Sequence, residues 1–390
     1  MAERMRQDGS FAGRGWRGWR LRIAIVLLAG LVLVGIFRVV GVRREKSVEQ
    51  RLAAIYAAHV LPPEENAATI YYRLFAADLP AHLRAPPGLP MDSSSGPVPQ
   101  FSEEERIKLL LEAARRPRCS FPALCDSSQP VAAMRWTQAT ANTRNHKMVP
   151  WSQSLLTAAF NDLEQGRLDA GREKLHCVIQ MAAHLRQQPA RIDFVTADAI
   201  ESFLWSALAE FIVDRDATDK HLAIIEDIVP SLADAWEAES AEMQQVEIML
   251  DTRTAWKRLG DILDGTDPGR VIEHCALGYH QIICERRGVR ILIDLRRYRN
   301  QSGRWPDTLD EIRAQVPTEA LSNPLGVGEP VYELEPGGFH LYSMGRDNRK
   351  DAGKGDDYTI WARRGTLKWL HERQWENPQA TGGRSTQRRR

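Results

Sequence analysis

Residues 23–37 (IAIVLLAGLVLVGIF) form an unbroken run with no charged or polar side chain. Such a run needs apolar surroundings on every side, which a surface helix with one buried stripe does not provide. As an α-helix it is about 22 Å long, and carried on through Val42 it reaches about 30 Å, the thickness of a bilayer's hydrocarbon core. Arg38 then lies near the end, where its head can reach the lipid headgroups. The expectation is a transmembrane helix over residues 21–42 behind a basic tail over residues 1–20. A cleaved signal peptide shares the basic start, but no A-x-A-like site precedes Arg43-Arg44. Arginines at positions 4, 6, 14, 17, 20 and 22 precede the run, while Arg38, Arg43, Arg44, Lys46 and Arg51 come after it. The positive-inside rule therefore only leans towards a cytoplasmic N-terminus.

The 390-residue chain has a net charge of +1, so no global field recruits nucleic acid, and none is expected as a partner. Hydrophobic residues make up 43%, enough for the middle to fold around a core rather than stay disordered. Of five cysteines, Cys119 and Cys125 flank a Pro-containing loop and could join in an oxidising compartment. Cys177, Cys275 and Cys284 fall in apolar helical patterns and read as small core residues.

A mainly α fold is expected between residues 47 and 284. Two helices, over 47–60 and 64–77, are separated by Pro62-Pro63. Residues 79–100 hold six prolines and a Ser-Ser-Ser run, a linker or a strap across the surface. Ser102 with Glu105 forms a capping box for a helix ended by Pro117. From Trp151 to about Ile283 the pattern is mostly amphipathic helix. Ala159, Leu163, Gly166, Ala170 or Gly171, and Leu175 have the spacing of one tetratricopeptide-like hairpin. No second copy occurs at that period, which predicts an irregular helical bundle rather than a solenoid.

Ile291, Leu295 and Tyr298 lie on one helical face, Gly303 suits a C′ position, and Asp307 can cap a short helix over 308–314. Tyr332 and Leu334 alternate opposite Phe339 and Leu341 across a turn at Pro336-Gly337, and residues 358–362 supply a third strand. A small α+β module with a three-stranded antiparallel sheet is predicted over 285–365, with a disordered basic tail over 366–390.

The order of motifs in this module resembles the periplasmic head of the major pseudopilin of type II secretion. Tyr298-Arg299 and Gly303-Arg304-Trp305-Pro306 match its helix end, and Asn323-Pro324-Leu325-Gly326 its D/N-P-x-G segment. Leu341-Tyr342-Ser343-Met344-Gly345-Arg346-Asp347 matches its Y-S-x-G-x-D segment, and Gly355-Asp356-Asp357 its acidic ending. The match covers about residues 285–362. The whole layout also resembles that of membrane-anchored bacterial proteins with a helical middle. The resemblance implies calcium, with Asp347, Asp356 and Asp357 as carboxylate ligands. Arg346, Arg349, Lys350 and Lys354 share that loop and offset its charge. Asp347 and Asp351 stand at the first and fifth positions of an EF-hand-like loop, whose pattern Arg349 and Ala352 break. Arg22 before the apolar run and the lack of a Glu within it separate the chain from a polymerising pseudopilin.

No catalytic motif such as G-x-S-x-G, Walker A or H-E-x-x-H occurs. The G-x-G-x-x-G of residues 13–18 has no strand before it, and its Arg/Trp mixture suits a lipid interface instead. His274, His280, Cys275 and Cys284 match no zinc spacing and read as packing residues, as do His176 and His184. The expected protein is a single-pass component of the bacterial inner membrane with its bulk in the periplasm. Its partners would be the membrane and other envelope proteins, and its role structural or interactive without catalysis. The alternatives are a membrane-tethered enzyme with its site between helical and C-terminal modules, and a divergent pseudopilin-like secretion component.

Overall fold

A computed structural model of the chain describes residues 50–51, 53–87, 101–126, 128–229, 232–250, 268–351 and 356–361. The proposed transmembrane segment and both basic tails lie outside them, as do residues 88–100. No helix among the described residues is long and apolar enough to cross a membrane.

The chain divides into two units, Met1–Ala54 and Ile55–Arg390. In the second, the described helices are α1 (Ala68–Phe75), α2 (Glu103–Ala114), α3 (Pro130–Glu164), α4 (Leu168–Arg186), α5 (Arg191–Asp214), α6 (Asp219–Ile228), α7 (Trp236–Leu250) and α8 (Pro268–Ser302). Three strands come after them: β1 (Val331–Glu335), β2 (Gly338–Ser343) and β3 (Tyr358–Trp361), antiparallel in the order β1-β2-β3. A mainly helical protein with a small C-terminal three-stranded sheet is thus what the chain forms.

Several local signals take effect directly. Ser102 Oγ accepts from the Glu105 amide and the Glu105 carboxylate accepts from the Ser102 amide, closing the capping box of α2. Helices α3 and α4 pack on each other across the turn at Gly166. That glycine takes φ +74°, where an L side chain would be strained. At Gly171 a Cβ would stand 2.7 Å from the Leu163 side chain and 3.1 Å from the Ala159 carbonyl, so the close approach requires glycine.

Two expectations shift. Helix α3 begins at Pro130 and runs through Pro150, well before Trp151. Its upstream turns bury Met134, Trp136, Ala141 and Met148, and that burial outweighs the amide hydrogen bond Pro150 cannot make. Asp307 caps no α-helix: a single 3-10 turn, Leu309–Glu311, stands there without a side-chain cap, and Glu311 reaches back to accept from the Asp307 amide.

Helix α5 sits at the centre, packed by α3, α4, α7 and α8. Phe194, Ala197, Ile200, Leu204, Trp205, Leu208 and Phe211 are buried around it, leaving little solvent-facing surface along its middle. Asp193, Asp198 and Glu201 are buried too, and each must meet a cation. The C-terminal module is built onto the same core. Helix α8 crosses residues 284 and 285 unbroken, packing on α5 with its middle and on β3 alongside. At Gly288 a Cβ would lie 2.1 Å from Ile360 Cγ2, so the absence of a side chain lets β3 settle on the helix. Gly303, at φ +77°, closes α8 by donating to the Arg299 carbonyl, as its C′ position predicts. In the hairpin Tyr332 pairs with Leu341 and Leu334 with Phe339, and Gly337 takes φ +90° after Pro336.

Candidate functional site: a charged cavity and an acidic loop

A cavity of about 660 Å³ opens in the helical layer, between α4, α5, α7, α8 and the segments around His59 and Cys119. That size suits a small organic ligand. Much of its wall is apolar, from Leu61, Ile179, Ala183, Ala235 and Ala238, while Arg186, Glu201, Glu239 and Arg286 bring charge.

The charges come from four different helices. Arg286 on α8 grips Glu201 on α5 with both arms, Nε to Oε2 at 2.8 Å and Nη2 to Oε1 at 2.7 Å. Arg186 at the end of α4 donates to the same Glu201 and, at 2.8 Å, to Asp198. Trp205 Nε1 donates to Glu201 Oε2 at 2.9 Å. The Arg186 guanidinium also lies 5.7 Å from the centre of the Phe194 ring and 5.6 Å from that of Tyr279. Burial would raise the Glu201 carboxyl, but the charges and hydrogen bonds of Arg186 and Arg286 outweigh it and pull the group down to about 2. Burial wins at Asp198, raised to about 6 against the pull of Arg186. Glu201 is therefore a fixed anion with both oxygens engaged. It holds α4, α5 and α8 together and has no lone pair spare for proton transfer.

The segment around Cys119 is clamped from both sides by carboxamides. Asn66 pairs with Ser120, donating to its carbonyl and accepting from its amide, both at 2.8 Å. Gln188 accepts from the Phe121 amide and donates to the Cys119 carbonyl, and Gln187 accepts from the Cys119 amide. Cys119 and Cys125 are both buried free thiols, so the suggested bridge is not formed. Burial pushes both thiols up, Cys125 to about 12, which leaves them poor nucleophiles. Cys177, Cys275 and Cys284 are buried, as their apolar patterns predict. His280 pairs with Asp234 at 3.0 Å, and His184 is packed between Tyr71 Oη and the Arg116 carbonyl.

The acidic loop lies in the C-terminal module. Asp347, Asp351 and Asp356 each turn an oxygen to one point, the three atoms all within 4.8 Å of one another, and all three residues are exposed. Asp347 and Asp356 belong to the expected ligand set. Asp357 instead accepts from the amides of Gly345 at 3.3 Å and Asp351 at 2.9 Å, bracing the loop, and Asp351 takes the third place. Gly345 makes this possible, since a Cβ there would be 2.3 Å from the Asp356 carbonyl oxygen. Gly326 likewise lies against the Gly345 carbonyl, so the Asn323-Pro324-Leu325-Gly326 and Ser343-Met344-Gly345 segments touch. Asn323 Nδ2 donates to the Met344 carbonyl at 2.7 Å, and Asn348, at φ +54°, accepts from the Val327 amide at 2.8 Å. An all-oxygen set suits a hard cation, and these residues fit calcium as three of its six to eight ligands.

Sequence reasoning placed the acidic loop but missed the charged cavity. The available signal was partial: Glu201 lies in a largely apolar helical stretch, while Arg286 lies in the charged run Glu285-Arg286-Arg287 between Ile282-Ile283 and Val289. Three such residues, at 186, 201 and 286, give no hint in the sequence of which pairs with which. No protein-family model, curated protein or solved structure matches this chain.

Proposed function

We propose that this protein is a single-pass component of the bacterial inner membrane, with its helical domain and pseudopilin-like module displayed in the periplasm. Its role is structural or protein-interacting. The observation that carries the reading is the apolar run of residues 23–37 between clusters of arginine. The order of pseudopilin-like motifs adds the periplasmic side. Support also comes from the way the Asn323 and Gly345 segments meet beside a converging set of carboxylates. The buried charges favour a scaffold: Glu201 is spent on three partners, and the free thiols have raised pKa values. In this role the acidic loop holds calcium as a clasp for the module, and other envelope proteins are the partners.

Fractionation of cells expressing the full-length chain tests the anchor. The protein should stay with membranes through alkaline carbonate washing and leave them only with detergent. Recovery as a soluble species without detergent would overturn the reading. A periplasm-dependent phosphatase fused after Arg390 should be active, and an inactive fusion would reverse the topology.

A further inference from the structure

Within the cavity one pair of charges is left incomplete. Arg186 Nε and Glu239 Oε2 face each other at 3.6 Å, too far for a hydrogen bond. Both atoms are buried, and neither has a hydrogen-bond partner. Arg186 is held by Asp198 and Glu201, and its side chain is only 7% exposed, whereas that of Glu239 is 35% exposed on the rim helix α7. Of the two, Glu239 is free to turn outward.

The charges around this pair select against an ionic guest. Two guanidiniums, Arg186 and Arg286, meet three carboxylates, Asp198, Glu201 and Glu239. An anion entering beside Glu239, or a cation beside Arg186, would meet a like charge at close range in a desolvated wall. A neutral group with an acceptor and a donor side by side meets neither objection. The oxygen and nitrogen of a carboxamide stand about 2.2 Å apart. They can face Arg186 Nε–H and Glu239 Oε2 together once Glu239 has moved. The apolar wall of Leu61, Ile179, Ala183 and Ala238 suits the remainder of such a molecule.

We propose that the cavity binds a small neutral ligand carrying a carboxamide or lactam edge, taken up between Arg186 and Glu239. The inference is independent of the membrane anchor, because every residue it uses lies in the unit Ile55–Arg390.

The test uses the purified full-length protein and three molecules of one shape: benzamide, benzoate and benzamidine. Ligand-observed NMR titrations should show benzamide binding most tightly, with both charged analogues weaker. Glu239→Ala should weaken benzamide by roughly tenfold or more, the worth of one hydrogen bond to a charged group. Glu239→Gln, which keeps an acceptor oxygen, should retain benzamide binding and reduce the discrimination against benzoate. Circular dichroism of each variant separates loss of binding from loss of fold. Ala183→Leu, which fills the cavity without touching a charge, should abolish binding while the helical signal stays. No benzamide binding, equal binding of all three molecules, or indifference to both Glu239→Ala and Ala183→Leu would overturn the proposal.

Discussion

Replacing Gly288 by alanine tests how the sheet is joined to the helical core. The added methyl carbon would stand 2.1 Å from Ile360 Cγ2 and 3.3 Å from Ile360 Cβ. Carbon atoms in ordinary contact sit about 3.5–4.0 Å apart, so β3 must retreat by roughly 1.5 Å or Ile360 must leave its rotamer. Ile360 is β-branched and buried, and its χ1 is stiff. Retreat of β3 also strains the bond from Tyr358 Oη to Glu285 Oε1, 2.5 Å long, at the edge of the same interface. Overpacking of this kind costs about 1–3 kcal/mol. Against it stands a gain of about 1 kcal/mol from alanine over glycine inside a helix. The net expectation is a loss of up to about 2 kcal/mol, read as a lowered urea midpoint in tryptophan fluorescence of the full-length protein. Ile360→Ala, which alone should cost about 2–5 kcal/mol, removes the clash. In that background Gly288→Ala should turn neutral or stabilising, a coupling of about 2 kcal/mol. If Gly288→Ala is stabilising in the native background, or its effect is the same with either residue at 360, the close packing of β3 on α8 is refuted.

Other outcomes rest on the buried charges and the loop. Arg144 is fully buried, paired with the Asp193 carboxylate and stacked 4.1 Å over Phe121. Asp193→Ala leaves that guanidinium without its counter-ion, and the loss should be about 3–5 kcal/mol by urea denaturation. His184 should stay neutral down to a pKa of about 4, lowered by burial against the opposing hydrogen bond to the Arg116 carbonyl, and its titration by NMR would show this. Because that folded value lies below the unfolded one, His184 contributes nothing above pH 6.5 and costs stability as pH falls from there towards 4. Asp198, raised to about 6, works the other way: its contribution is present below pH 3.8 and is lost as pH rises through 6, so Asp198→Asn should steepen the acid-side loss between pH 6 and 4. Calcium should raise the melting temperature of the native protein, and Asp351→Asn should remove most of that rise. A rise unaffected at Asp351 but lost at Asp357 would restore the ligand set expected from the resemblance.

Some of this protein is written in short stretches of its chain. The Ser102 and Glu105 capping box, the turn at Gly166, the stop at Gly303 and the Pro336-Gly337 hairpin each depend on residues within a few positions. Backbone sterics and local hydrogen bonds act over that range, so the pattern alone determines them. The mainly helical class with a small C-terminal sheet arises for the same reason. The tertiary structure decided what depends on distance in sequence. It let α3 run through Pro150, because buried neighbours outweigh one missing amide. It set Asp351 rather than Asp357 among the converging carboxylates, because the amides of Gly345 and Asp351 claim Asp357. It also drew Arg186, Glu201 and Arg286 into one cluster beside Glu239. A charge inside an apolar helix announces that it needs a partner. Which partner it meets depends on how four helices pack, and pairwise spacing along the chain does not carry that information.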